Sequence, residues 1–356
     1  MLRKQNALGN KNSEFIEKQW VHPTFEYEWW YANGHVDSST GRFSFMVTFL
    51  SGQLYLTVED HRTGLCHVQI TKEHVLQYNR EKRELRYGAS TWSLEEMTPF
   101  GFTHRLNVQI KGLGLNLHIS PTAPPIVIGK MPLGILGSVH YYAMTELTCE
   151  GNILVDNKVV QVKGEAWIDR MWGNWKLAGF NRWEWISMLL KDRRRAVFFS
   201  VFHPILTNSP LLTLFLLHEP GGEVRRLTVG LTHLKTWRSP LTGVQYPLGW
   251  KIVSKSGSRV DLLVVPRIEN QELRPFIWEG ACSVSGALDE LSVEGEAHGE
   301  VLYGLAQDNL TLPGVILLIY ELSSHILEKM ISRRARLTLD SLLARVGRRF
   351  SKFYWN

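Results

Sequence analysis

The sequence predicts an all-β protein of two antiparallel barrel-like or sandwich-like domains followed by a C-terminal amphipathic helix, and three observations predict it. Apolar or alternating runs of strand length recur from Tyr27 to about Pro313. Polar or glycine turns separate them instead of long helices, which points to antiparallel sheets, not βαβ units. Hydrophobic residues are 44% and charged residues 21% of the 356 residues, a composition that supports sizeable cores and excludes extended disorder.

Taken in order, a short stretch near Glu14–Trp20 reads as helical. Strands are then expected at Phe43–Leu50, Gln53–Val58, His104–Ile110 and Leu115–Ile119. Ile153–Val155 and Val159–Val162 flank Asp156-Asn157, a hairpin signal. Further strands follow at Ala196–Phe202, Leu211–Leu217, Val224–Leu231, Lys251–Val253, Val260–Val265, Cys282–Val284 and Leu291–Val293. Met131–Gly137 and the charge run Lys191–Arg195 are candidate hinges, which divides the chain into domains at 20–190 and 191–320 and a tail at 321–356. No repeat of 20–50 residues is evident. In the tail, Leu327, Ile331, Ala335, Leu339, Leu342, Val346, Phe350 and Phe353 recur at helical spacing, with the arginines largely off that stripe.

Charge and cysteine usage narrow the function classes. The formal charge is +6, yet the residues from Lys329 onward hold eight basic side chains and one acid, so the tail carries +7 and the rest sums to −1. A nucleic-acid footprint on the body is therefore not expected. The tail has two readings: a helix packed on the body, or peripheral membrane contact through residues 325–356, its basic face on anionic lipid and its apolar stripe in the interface. The three cysteines are far apart, the start of the chain has no apolar signal-like segment, and no apolar run approaches membrane-spanning length. These features fit a cytoplasmic, or membrane-associated, protein. Thirteen histidines show no ligand spacing, so no metal is expected, and no nucleotide-binding glycine loop or nucleophile elbow is present.

The aromatic load carries the chemistry. Five of thirteen tryptophans fall between Trp167 and Trp185. In Glu26–His35, strand alternation puts Glu26, Glu28 and Trp30 on one face and Tyr27, Trp29 and Tyr31 on the other. Either the strand is packed between two layers, or one face, with Glu28 or His35, looks into a cavity. His140 and Tyr142 share a face in His140-Tyr141-Tyr142. Trp167 and Asp169 share a face in Gly164–Gly173. An Asp beside an indole is partly desolvated, which raises its pKa and makes it a usable acid near neutral pH; the alternative is an Asp paired with Arg170 or capping a turn. Trp183 and Trp185 form another alternating aromatic strand.

Together these segments resemble a known family. E-W-W-Y-x-x-G-H (Glu28–His35), H-Y-Y (His140–Tyr142), G-x-A-W-x-D-R-x-W-G (Gly164–Gly173), W-x-W (Trp183, Trp185), W-x-S-P-x-T-G-x-x-Y-P-x-G-W (Trp237–Trp250) and W-E-G (Trp278–Gly280) resemble the carotenoid 1,2-hydratases. Relatives of those enzymes include AttH-like proteins and lipocalin-like Diels–Alderases. The similarity spans roughly residues 20–305. It implies two lipocalin-like β-barrels or half-barrels with a hydrophobic ligand in or between them. It also implies acid-promoted chemistry on an isoprenoid or polyene without metal or organic cofactor. The family's functional positions fall on His140, Tyr142, Trp167 and Asp169, with Tyr142 standing where the hydratases carry Trp. Asp169 is then the expected acid, and Trp30, Tyr142, Trp167, Trp183 and Trp185 the electron-rich walls around a carbocation. Glu28 and His35 join Trp30, Trp183 and Trp185 as expected substrate contacts. Hydration, cyclisation and isomerisation are all open outcomes. The alternatives are a pericyclase of the Diels–Alderase kind and a non-catalytic carrier of a hydrophobic ligand.

Overall fold

The structure is a computed structural model that describes residues 21–22, 25, 27–50, 52–133, 137–175, 182–202, 210–255, 259–274 and 276–302. The expected helices near 14–20 and in the 321–356 tail lie outside these residues. The described residues contain strands and turns and no helix.

Two curled antiparallel sheets account for the strands. The first holds β1 (Tyr27–Ser38), β2 (Gly41–Leu50), β3 (Gln53–Asp60), β4 (Leu65–Thr71), β5 (Gln77–Asn79) and β6 (Glu84–Tyr87). It continues with β7 (Ser90–Thr98), β8 (Gly101–Ile110), β9 (Leu113–Pro121), β10 (Ile126–Pro132), β11 (Gly137–Val155) and β12 (Lys158–Trp175). The second holds β13 (Arg182–Leu190), β14 (Arg195–Phe202), β15 (Pro210–His218), β16 (Val224–Arg226) and β17 (Val229–Arg238). Its remaining strands are β18 (Gln245–Ser254), β19 (Val260–Pro266), β20 (Glu272–Arg274), β21 (Ile277–Leu288) and β22 (Leu291–Leu302).

The two sheets have the same wiring. In each, the first strand pairs with the last, β1 with β12 and β13 with β22. In each, one strand lies off the main path, β10 on β11 and β20 on β21. Matching details run deeper. The β11–β12 turn is Asp156-Asn157 and the β21–β22 turn is Asp289-Glu290, all four residues with φ between 49° and 60° or at 68°. Such left-handed pairs make the two-residue turns whose twist matches a hairpin. A Cβ at Gly164 would lie 2.2 Å from the His35 carbonyl oxygen, and one at Gly295 would lie 2.2 Å from that of Leu189. The strands around these glycines read Gly164-Glu165-Ala166-Trp167-Ile168-Asp169 and Gly295-Glu296-Ala297-His298-Gly299-Glu300. The chain is thus a structural repeat. The repeat is far longer than 20–50 residues, and little of its sequence beyond this hexapeptide and the turns is shared.

Each half-barrel has its own core, one around Phe45, Trp92 and Leu117, the other around Phe198, Trp250 and Trp278. A third apolar cluster joins them, with Tyr31, Tyr141, Trp167 and Trp175 from the first sheet meeting Trp185, Val197, Phe199 and Leu302 from the second. This explains β1: its aromatics face two ways because its sheet has a core on each side. The first sheet's last strand ends at Trp175 and the second sheet's first strand begins at Arg182. Lys191–Arg194 is the turn of the β13–β14 hairpin, exposed at Lys191, Asp192 and Arg193 while Arg194 is buried; Arg193 takes φ 70° there.

Candidate functional site

Register decides which side chains meet. Tyr31, Asp169 and Ala143 are cross-strand partners in β1, β12 and β11, so they share a face. Trp30, Arg170 and Tyr142 are partners one step along, on the opposite face. The first set looks into the junction between the sheets and the second into the first half-barrel.

The junction contains a cleft. Its walls are Trp29, Tyr31, Trp175, Trp183, Trp185 and Phe199, with Met171, and its acidic groups are Asp169 and Glu300. Its volume is about 20 Å³, room for about one water, so a larger ligand requires the walls to part. Asp169 is buried; the Tyr141 hydroxyl donates to its Oδ2 at 3.1 Å, and Oδ1 has no partner. Tyr141 in turn accepts from Trp185 Nε1 at 3.4 Å. Burial pushes the Asp169 carboxyl well above the usual range; the Tyr141 bond opposes this, and the neighbouring Glu300 and Glu279 add to it. Glu300 accepts from Trp183 Nε1 at 2.9 Å and is the register partner of Glu279. Burial pushes Glu279 up to about 7, against its hydrogen bond with Tyr31, and burial with repulsion from Glu279 pushes Glu300 up to about 8. These register partners both resist ionisation near neutral pH.

Of the residues expected from sequence, Asp169, Trp167, Trp183 and Trp185 lie together at this junction. Trp167 is fully buried and meets Trp185 edge-on at 6.1 Å. His35 is also on the junction face but four residues along β1 from Tyr31, bonded through Nδ1 to Ser44 Oγ at 2.8 Å.

His140, Tyr142, Glu28 and Trp30 are not brought together with Asp169: they occupy the opposite face. His140 stacks on Trp172 at 5.4 Å. Glu28 binds the buried Arg170 and accepts from His22 N at 2.8 Å. Burial raises the Glu28 pKa, but the His22 bonds and the Arg170 charge outweigh it and hold the carboxyl below its usual value. The Arg170 guanidinium lies 3.6 Å over the Trp30 ring. Arg170 therefore pairs with Glu28, not with Asp169 beside it in sequence. Alternation within each strand is correctly read from sequence, but strand-to-strand register is not. It makes Tyr141, one step from the expected pair, the residue that meets Asp169. Tyr141, Tyr31, Glu279 and Glu300 were missed as site residues. The available signal was the hexapeptide repeat, which sets Glu300 in the place of Asp169.

Elsewhere, an open cleft of about 510 Å³ lies at the β5–β6 hairpin, lined by residues between Gln77 and Arg86. Its charged, solvated walls do not suit an apolar ligand. No group of His, Cys, Asp and Glu among the described residues is arranged to hold a metal.

Two half-barrels with a buried acid on an aromatic seam define a class, the lipocalin-like proteins of paired half-barrel architecture. The chain belongs to the AttH-like family, whose model matches residues 6–302. Solved structures share the fold. A Nitrosomonas europaea crystal structure assigned to AttH matches with TM-score 0.68 and 20% identity over 82% of this chain and 97% of that one. Kievitone hydratase from Nectria haematococca matches with TM-score 0.65 and 18% identity, covering 78% and 88% of the two chains. CghA with Sch210972 matches with TM-score 0.54 and 11% identity, covering 81% and 95%. No curated protein sequence matches significantly.

Proposed function

We propose that the protein is an enzyme that protonates an unsaturated, hydrophobic small molecule of terpenoid or polyene type at the junction of its half-barrels, with Asp169 as the acid. The observation that carries this reading is the Asp169 carboxyl, buried on the wall of an aromatic cleft, pushed well above the usual carboxylate range by that burial, with Oδ1 unpartnered among the described residues. A similar fold in a protein named a hydratase supports the class of chemistry.

In the proposed step the alkene π pair forms a C–H bond with the Asp169 proton, and the O–H pair stays on the carboxylate. The cation left on the neighbouring carbon faces the rings of Trp29, Tyr31, Trp183 and Trp185. Each ring face stabilises a cation by about 0.5–2 kcal/mol. The Glu279–Glu300 pair adds partial negative charge on the far wall. Water capture followed by proton loss completes a hydration; attack by an internal alkene moves the cation, and proton loss then completes a cyclisation; direct proton loss completes an isomerisation, the proton in each case going to a carboxylate on the far wall.

The experiment is extraction of the ligand that co-purifies with the protein and its identification by mass spectrometry, followed by turnover of that compound or its precursor by wild type and Asp169→Asn. The variant is expected to fold and bind but not convert. Undiminished turnover removes Asp169 as the acid. Tight binding without product in any assay replaces the enzyme reading with a carrier.

A further inference from the structure

A second polar cluster lies on the same junction face beyond the cleft, and protonation by Asp169 does not by itself employ it. Strands from both halves assemble it: His35 from β1, Ser44 from β2, Glu59 from β3, Glu279 from β21 and His298 from β22. None of these residues is more than 4% exposed. Tyr31, which lines the cleft, shares a side-chain hydrogen bond with Glu279. Glu279 Oε1 lies 3.5 Å from His298 Nε2. Glu59 crosses the junction to accept the Ala281 N–H at 2.8 Å, and Ala281 is the register partner of His298. On its own sheet Glu59 is the register partner of Ser44. The Ser44 hydroxyl contacts His35 Nδ1 at 2.8 Å and His61 Nε2 at 2.7 Å. His61, just past the end of β3, is half-buried.

Most of these groups have open valences. Glu279 Oε1, both ring nitrogens of His298, Glu59 Oε2 and His35 Nε2 are buried without a hydrogen-bond partner. Buried polar atoms in folded proteins are nearly always bonded, and ordered water is the usual partner where several converge. A structural network would be expected to close on itself, as Glu272 does by accepting from Ser239, Thr242 and Tyr246. This one stays open, with Tyr31 at its cleft end and the half-buried His61 at its outer end.

We propose that Glu279, His298, Glu59, His35 and Ser44 form a proton relay that connects the Asp169 cleft to solvent at His61. The relay rests on the reading of Asp169 as a proton donor and supplies what that reading leaves out, namely how a buried acid is recharged. Once Asp169 has given its proton to carbon, a proton passes to its carboxylate from Glu279 by way of Tyr31. Each group behind refills the one ahead, and His61 draws the last proton from water. One proton enters from solvent for each one delivered to carbon, the proton released when the cation is quenched returns to solvent, and no electron is transferred. The groups suit the task. Burial raises Glu59 and Glu279 to about 7, close enough to trade protons. Burial lowers His298 and His61 to about 4, which keeps their rings neutral and able to accept on one nitrogen while donating from the other. Arg42, Arg267 and Glu296 surround the outer end, where Glu296 Oε2 sits 3.8 Å from His35 Nδ1.

The test is hydrogen–deuterium exchange of buried protonated carboxyls in the full chain, read by infrared spectroscopy after transfer into D2O. The Asp169 band is assigned by its loss in Asp169→Asn. In Ser44→Ala and in His298→Gln its exchange is expected to slow by about tenfold or more, with the melting temperature held and the backbone amide band exchanging at its wild-type rate. Equal exchange in wild type and variants overturns the relay, as does slowing that extends equally to the backbone amides. Should no band vanish in Asp169→Asn, the acid reading fails. The relay is then judged by the same comparison on the Glu279 band, assigned with Glu279→Gln. Ser44→Ala deletes one hydroxyl and carries the test alone should His298→Gln not fold.

Discussion

The two half-barrels share connectivity, turn chemistry and matched glycines, yet they bring different chemistry to the face where they meet. On the first, Asp169 pairs with Ala143 and holds one hydrogen bond, from Tyr141. On the second, the equivalent Glu300 pairs with Glu279, a second acid where the first half has a methyl group. Trp167 on the first half corresponds to His298 on the second. One half therefore presents a single buried acid among indoles, and the other a pair of adjacent buried carboxyls backed by a histidine. The scaffold positions repeat because backbone pairing demands them. The junction residues are free to diverge because they answer to a ligand and to each other.

The largest expected effect separates the two carboxyls. Asp169→Asn removes the donor itself and should cut turnover of the co-purified compound by about 10²- to 10⁴-fold. Glu300→Gln leaves the donor in place and should cost about tenfold or less. Equal losses would mean that the halves act symmetrically and that no single acid can be named. Next in size is a test of the shared frame. Gly164→Ala and Gly295→Ala each press a methyl within 2.2 Å of a carbonyl oxygen, and each should cost about 3 kcal/mol by denaturant titration. A large difference between them would show that the matched geometry is not matched in energy.

How much of this was visible beforehand follows from what strand sequences encode. Alternation put Trp167 with Asp169 and Trp183 with Trp185, because side-chain direction has a period of two residues. The two-residue turn at Asp156-Asn157 was legible because its residues tolerate left-handed backbone. Register between β11 and β12 was not legible: both strands are aromatic on both faces, so no hydrophobic pattern fixes the offset. Tyr142 was expected at the acid, and Tyr141 is there instead. Glu279 and Glu300 were hidden because an acidic residue in a strand reads as solvent-facing until the partner sheet is known.

A smaller effect concerns pH and stability. Glu59 and Glu279 titrate at about 7 and Glu300 at about 8 in the folded protein, against about 4.3 for a free Glu. From about pH 4.5 to 8 the folded state holds protons that the unfolded chain has released, so their contribution falls as pH rises through that window. The buried histidines act in the opposite direction, since the unfolded chain binds the extra protons, but only below about pH 6.5. From about pH 6.5 to 8.5 the carboxyls act alone, and the melting temperature should fall. Glu279→Gln, which removes the second half's additional acid, should flatten that fall; an unchanged slope would mean that Glu279 does not hold its proton into that window.

The smallest expected effects lie between two neighbouring tyrosines, and they test the register directly. Tyr141 donates to Asp169, and that bond holds the raised carboxyl pKa down. Tyr141→Phe removes the bond, so the carboxyl should climb further by about one pKa unit, the equivalent of one hydrogen bond. An acid must be protonated to act, so the falling limb of the pH–activity profile should move to higher pH by that amount. Tyr142, one residue on, is bonded to Arg170 inside the first half-barrel. Tyr142→Phe should cost about 1 kcal/mol of stability and leave both turnover and the pH profile where they were. If instead Tyr142→Phe shifts the profile and Tyr141→Phe does not, β11 is offset by one residue from the pairing described. The chemistry would then belong to the interior of the first half-barrel, and the junction would be a packing seam.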